Sequence, residues 1–153
     1  MRVLELKIPP VAVVLVTALL MWLSSWAAPT VGLVVPGRDL VALGLAIAGA
    51  VTSILGVASF RRAGTTVNPL TPDASSTLVR SGVYTLTRNP VYLGFLMLLL
   101  AWGIYVSNAV ALLFIPVFVV YMNRFQIEPE ERALRSRFGR TFVAYTTQVR
   151  RWI

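Results

Sequence analysis

Four apolar runs decide most of what this chain can become. They cover about residues 10–28 ("PVAVVLVTALLMWLSSWAA"), 40–60 ("LVALGLAIAGAVTSILGVASF"), 91–106 and 109–125, and they carry no charge before Arg124 at the edge of the last. Crossing the hydrocarbon of a bilayer takes roughly 20 helical residues. Inside lipid, only helices and closed barrels satisfy their own backbone groups. The expected fold is therefore all-α: a polytopic membrane bundle of four transmembrane helices, forming one membrane-embedded domain over residues 1–153. The third and fourth runs are short, and only Ser107-Asn108 separates them, so they form a tight helical hairpin. Pro116 predicts a kink in the fourth helix. The first run ends in "SWA", as a signal peptide could, but it exceeds the ~7–15 residues of a signal core. Three more runs follow it, and it is read as a span.

Composition agrees. Apolar residues make up 57% and charged residues 13%, against about 45–50% and about 25% in soluble domains. Cysteine and histidine are absent and there are six carboxylates. Thiolate and imidazole chemistry are thereby excluded, and no metal site is expected. The net charge of +8 does not point to nucleic acid, because the arginines crowd the ends of apolar runs, where they set topology and meet anionic membrane lipids. Arg2 and Lys7 precede the first run. Arg61, Arg62, Arg80 and Arg88 lie between the second and third, and Arg124 and all later arginines close the fourth. The positive-inside rule places both termini and the 61–90 connection in the cytosol, in the inner (cytoplasmic) membrane if the source is bacterial.

Helix two carries Gly44, Ala48, Thr52 and Gly56, small residues at every fourth position, which make a close-packing face. Packing within the monomer is the simpler use of that face, and a homo-oligomer seam through helix two is the other. After the fourth run, Leu134, Phe138, Phe142, Tyr145 and Val149 recur at three-to-four spacing. They predict an amphipathic cytosolic helix, broken at Gly139, that lies on the membrane surface or covers the cytosolic mouth of the bundle. Pro129 suits its first position, with Glu130 and Glu131 in its first turn.

The segment "RSGVYTLTRNPVYLG", Arg80 to Gly94, is richer than a helix start needs. Pro90 suits the first helical position with Asn89 as its cap. Arg80, Tyr84, Arg88 and Tyr92 have no part in that. A helix N-terminus also attracts anions, Gly94 permits close approach to the backbone, and tyrosines offer flat faces and hydroxyls. A ligand with a carboxylate and an aromatic ring would suit the set.

"STLVRSGVYTLTRNPVYLG" followed by "EPEERALRSRFGRTFVAY" resembles the isoprenylcysteine carboxyl methyltransferase and phospholipid methyltransferase superfamily, over about Ser76 to Val149. The resemblance implies a cytosolic S-adenosylmethionine site in segments about 76–94 and 124–150. Its contacts would come from Thr77, Leu78, Val79, Tyr84, Asn89, Pro90, Val91, Tyr92 and Glu130, with Tyr92 packing on the adenine. Many eukaryotic members have histidine where this chain has Asn89. Gln126 stands where the carboxyl methyltransferases have a substrate-contacting arginine, and the nearest arginine is Arg124. That departure counts against a prenylcysteine carboxylate as substrate and leaves Arg124 and Gln126 as the substrate candidates. Arg88, Arg124 and Glu131 remain as catalytic candidates. Methyl transfer from a sulfonium needs chiefly alignment and exclusion of water. An amine acceptor would also need a base, for which Glu130, Glu131, Tyr84 or Tyr92 are at hand. The expected function is methylation of a lipidic or small hydrophobic acceptor at O, N or S. A non-catalytic membrane scaffold or small transporter subunit is the alternative, the transporter being disfavoured by the lack of ionisable residues within the spans.

Overall fold

The computed structural model of the protein describes residues 5–64 and 76–153. Among these, α1 (Pro10–Ala27), α2 (Arg38–Arg62) and α3 (Pro90–Val106) are followed by α4 (Ala109–Leu112), α5 (Phe114–Tyr121), a π-helical stretch Met122–Ile127 and α6 (Glu128–Gln148). The protein is an all-α helical bundle. Three helical stretches are long and apolar enough to cross a membrane: α1, α2 and the rod that runs from Ala109 to Gln148. The apolar α3 has 17 residues, about 25 Å of helix, at the short end of what spans. The outer faces of α1 and α2 are built of exposed Leu15, Leu19 and Leu23 and of Leu40, Leu43, Ile47 and Ile54. An apolar exterior of this extent belongs in lipid.

The core seam runs between α1, α3 and α5 through Met21, Leu99, Phe118 and Met122, all buried. The Trp102 indole donates to the Ala18 carbonyl at 3.0 Å and pins α3 to α1. The broadest helix contact is α2 on α3. There, a Cβ on Gly49 would stand 2.7 Å from the Gly94 carbonyl oxygen, and one on Gly56 would stand 2.8 Å from Val91 Cγ2. The packing row is thus Ala42, Gly49 and Gly56, the buried residues of α2. Of the expected row Gly44, Ala48, Thr52 and Gly56, only the last is buried, and Gly44 faces open space. The reason is geometric. Steps of four drift about 40° around a 3.6-residue helix, so the row spirals off the contact, whereas steps of seven drift only about 20°. Gly94 likewise admits a neighbouring helix, α2, with Ser53 Oγ donating to the Val91 carbonyl at 3.2 Å. The close approach read from Gly94 is helix packing.

The expected hairpin is present. Ser107 takes a left-handed conformation, and Asn108 caps α4 by accepting from the N–H groups of Val110 and Ala111. The kink is present too: Pro116 has no N–H for the Leu112 carbonyl, and the helix breaks at Leu113, whose N–H bonds to Val110 in a tighter turn. The amphipathic C-terminal helix is not a separate element. It continues the fourth helix through the π stretch, whose mark is the Glu128 N–H on the Asn123 carbonyl, five residues back. Pro129, second in α6, cannot serve the Phe125 carbonyl, which accepts from the Leu6 N–H at 3.0 Å. α6 does bend at Gly139, whose φ of 50° and ψ of −124° only glycine adopts readily.

Candidate functional site

The polar end of the bundle collects the start of α3, the π stretch, α6, Glu5 and Leu6, and residues 149–152. Gly82–Thr85 forms a 3₁₀ turn that buries Tyr84. The Tyr84 ring meets Phe60 edge-on, with centroids 5.3 Å apart. The Tyr145 hydroxyl donates to the Tyr84 carbonyl at 2.7 Å. The apolar stripe of α6 is intact, with Phe142, Tyr145 and Val149 buried against Leu78, Leu134 and Phe138. It therefore packs on Leu78 and, through Tyr145, on the Tyr84 carbonyl. Beside it, Thr77, Leu78, Val79, Arg80, Tyr145 and Val149 line an open groove of about 640 Å³.

A second group lies where α3 faces the π stretch. The Tyr92 hydroxyl donates to Glu130 Oε2 at 3.0 Å and accepts from Gln126 Nε2 at 3.3 Å. Because an ionised carboxylate can only accept and the Gln126 amide nitrogen can only donate, the Tyr92 proton goes to Glu130, and the three form a directed chain. The Tyr92 ring is buried in the core cluster with Met21 and Ile127. The ring is thus largely covered, and the hydroxyl is what Tyr92 presents to Glu130. Glu130 lies beyond the apolar run that ends at residue 125. Burial pushes its carboxyl up to about 7; the Tyr92 hydrogen bond opposes this and the Glu131 charge adds to it. Burial, and then Glu130, hold the Tyr84 phenol far above its usual range. Burial pushes Tyr145 up to about 12, against the pull of Arg88 and Arg80. Both tyrosines stay protonated donors at neutral pH.

Glu131, the next residue, is differently placed. Arg88 Nη2 lies 3.0 Å from its Oε1, and Arg151 grips both oxygens, Nε at 3.1 Å and Nη2 at 2.7 Å. Asn89 occupies the N-cap position of α3 but makes no cap bond. Its amide donates to the Arg151 carbonyl at 2.8 Å, and its backbone N–H bonds to Thr87 Oγ1. The expectation that its side chain caps α3 does not hold, because the chain end competes for it. Pro90 and Val91 pack against Gly56. Arg124 points away from the Tyr92 group and pairs with Glu5 at 3.2 Å and Glu128 at 3.6 Å, with Arg132 on the other oxygen of Glu5.

The candidate residues thus fall into a groove set (Thr77, Leu78, Val79), a buried carboxylate set (Tyr92, Gln126, Glu130, with Tyr84 near enough to feel its charge) and an ionic set (Arg88, Glu131). Sequence reasoning missed Arg151, Trp152 and Glu5. For Arg151 the only signal was that a second glutamate at the head of α6 needs cations from elsewhere. The set able to receive a polar, cationic ligand is Glu130 with its two tyrosines, since the ion pairs of the described residues leave Glu130 out.

A small integral membrane bundle with a buried polar site at one end is the class that fold and site define. The family profile for phospholipid methyltransferase matches residues 38–141, and the chain belongs to that family, a class of membrane methyltransferases. A curated protein of Haemophilus influenzae, described only as an uncharacterized protein, is 41% identical over 63 residues, which is 41% of this chain and all of that protein. No solved structure matches.

Proposed function

We propose that this protein is an S-adenosylmethionine-dependent methyltransferase acting on a lipidic acceptor, with the polar end of the bundle and both termini in the cytosol. The observation that carries the reading is the Gln126–Tyr92–Glu130 chain: a carboxylate oriented by a buried phenol, with no cation of its own among the described residues, at the end of a lipid-exposed bundle in a methyltransferase family. The residues fit such a donor, whose ammonium, sulfonium and ribose hydroxyls all suit a carboxylate that no cation among the described residues pairs. S-adenosylmethionine supplies a methyl group on a sulfonium that is already a good leaving group. The chain's part is to bind, align and exclude water. Glu130 accepts hydrogen bonds from the ligand, Tyr92 holds Glu130 in one rotamer, and Tyr84, near enough to feel the Glu130 charge, is itself held by the Tyr145 hydroxyl on its carbonyl. A separate groove at the same polar end, lined by Thr77, Leu78 and Val79, is of a size to take a nucleoside. The apolar outer faces of α1 and α2 support delivery of the acceptor from the lipid side.

The test is to incubate membranes containing the protein with donor carrying an isotopically labelled methyl group and to survey lipids by mass spectrometry. Lipids that gain one labelled methyl, absent with Glu130→Gln, are the expected outcome; no labelled lipid in either sample contradicts the reading. Orientation is checked separately by single cysteines at Arg38 and Arg62, which should label from opposite sides.

A further inference from the structure

The two glutamates at the head of α6 keep opposite electrostatic company, and the chain's last residues create the difference. α6 ends at Gln148, and Val149 turns to extended backbone, φ −125° and ψ 131°. Residues 150–152 then run along the 87–89 segment. The Arg88 N–H donates to the Arg150 carbonyl at 3.0 Å. Thr87 Oγ1 and Asn89 Nδ2 both donate to the Arg151 carbonyl, at 3.2 and 2.8 Å. The Trp152 indole donates to Asn123 Oδ1 in the π stretch at 3.1 Å, and its ring packs on the core cluster. Residues 150–152 are thus tied down by backbone, amide and indole together. The Arg151 guanidinium forks onto Glu131 with two parallel contacts, a geometry that arginine has and lysine lacks.

We infer that Arg151 is a positioning residue of the methyl-donor site: its guanidinium neutralises Glu131, while its main-chain carbonyl anchors residue 151 on the Asn89 amide, so that of the two glutamates Glu130 alone faces the ligand with no cation from the described residues. This rests on the functional reading above and adds to it the residue that makes neighbouring glutamates unequal. Glu130 is faced by Tyr92 from α3, by Tyr84 from the 3₁₀ turn, and by Gln126 and Glu131 from its own rod. Glu131 is faced by Arg88 from the loop before α3 and by Arg151 from the chain end, with Glu128 close enough to act on Arg151. The arginines are the cations in that set. Removing Arg151 leaves the Glu131 charge less compensated, and that charge opposes ionisation of Glu130. Donor binding would then require a higher pH. Removing the Glu131 charge as well takes the opposition away.

The experiment is calorimetric titration of S-adenosylmethionine into the protein in detergent, from pH 5.5 to 8.5, for wild type, Arg151→Lys, Arg151→Gln and Arg151→Gln/Glu131→Gln. Arg151→Gln should move the midpoint of the pH–affinity curve upward. Below that midpoint, binding should weaken by roughly tenfold for every pH unit the midpoint has risen. The double variant should return the midpoint to the wild-type position or below, and Arg151→Lys should fall between. If Arg151→Gln does not fold, Arg151→Lys against Arg151→Lys/Glu131→Gln carries the same comparison. A chain end that only braces the fold would lower affinity equally at every pH with no rescue by Glu131→Gln, and that overturns the inference. So does an unmoved midpoint in a folded variant. Absence of binding by wild type would overturn the functional reading first, and this inference with it.

Discussion

Asn89 and Asn108 stand at the same formal position, the N-cap of a membrane helix, and the molecule uses them differently. Asn108, at the hairpin end, accepts from the Val110 and Ala111 N–H groups at 2.9 and 3.2 Å and donates to the Ala28 carbonyl at 2.8 Å. It caps one helix and ties it to the end of another. Asn89, at the polar end, caps nothing and spends its amide on the chain terminus. Where only the fold is at stake, a local rule holds. Where the chain end and the candidate site converge, a tertiary contact displaces it. The same sorting separates Gly49 from Gly44 on α2 and Glu131 from Glu130 on α6.

Each of these pairs can be broken. The largest loss is expected for Asn108→Ala, which removes two cap bonds and one of the two hydrogen bonds to the Ala28 carbonyl, leaving it only the Val31 N–H. It should destabilise by about 2–3 kcal/mol, read as a drop in thermal midpoint in detergent with ligand affinity unchanged. Gly49→Ala should follow at about 1–3 kcal/mol, since its Cβ meets backbone that cannot yield without parting α2 from α3. Asn89→Asp comes next. It loses a donor and sets a carboxylate against the Arg151 carbonyl, at a cost of about 1–2 kcal/mol, so a thermal shift should accompany any fall in ligand affinity. Asn89→Asp as stable as wild type would mean that the amide does not hold the chain end. Gly44→Ala should be neutral or stabilising by up to about 1 kcal/mol, because open space surrounds it and alanine favours the helix.

Much of this architecture is legible in the sequence, for a physical reason. Lipid demands long uninterrupted apolar helices, and the runs at 10–28, 40–60 and 91–106 correspond to Pro10–Ala27, Arg38–Arg62 and Pro90–Val106. Pro116 and Gly139 act through covalent geometry, which no context changes. The π stretch at Met122–Ile127 is not legible, because a single widened turn leaves the 3.6-residue pattern nearly intact on either side. Nor is the anchoring of Arg151 and Trp152, since contacts between residues 87–89 and 150–152 leave no local periodicity. Family register alone separates Glu130 from Glu131 in the sequence. The physical ground for the choice, one carboxylate paired with two arginines and the other with a phenol, becomes visible only in three dimensions.

The central claim is that Glu130 receives the positive charge of a methyl donor. The direct measurement is calorimetric titration of S-adenosylmethionine itself, sulfonium and ammonium both present, into wild type and Glu130→Gln across neutral pH. The free carboxyl sits at about 7 and must be ionised to hold a cation. Wild-type affinity should therefore rise by about tenfold per pH unit below 7 and level off above it. Glu130→Gln should bind roughly ten- to a hundred-fold more weakly at pH 8 and lose that pH dependence. Equal affinities in the two proteins, or a pH profile that survives the substitution, would contradict the account.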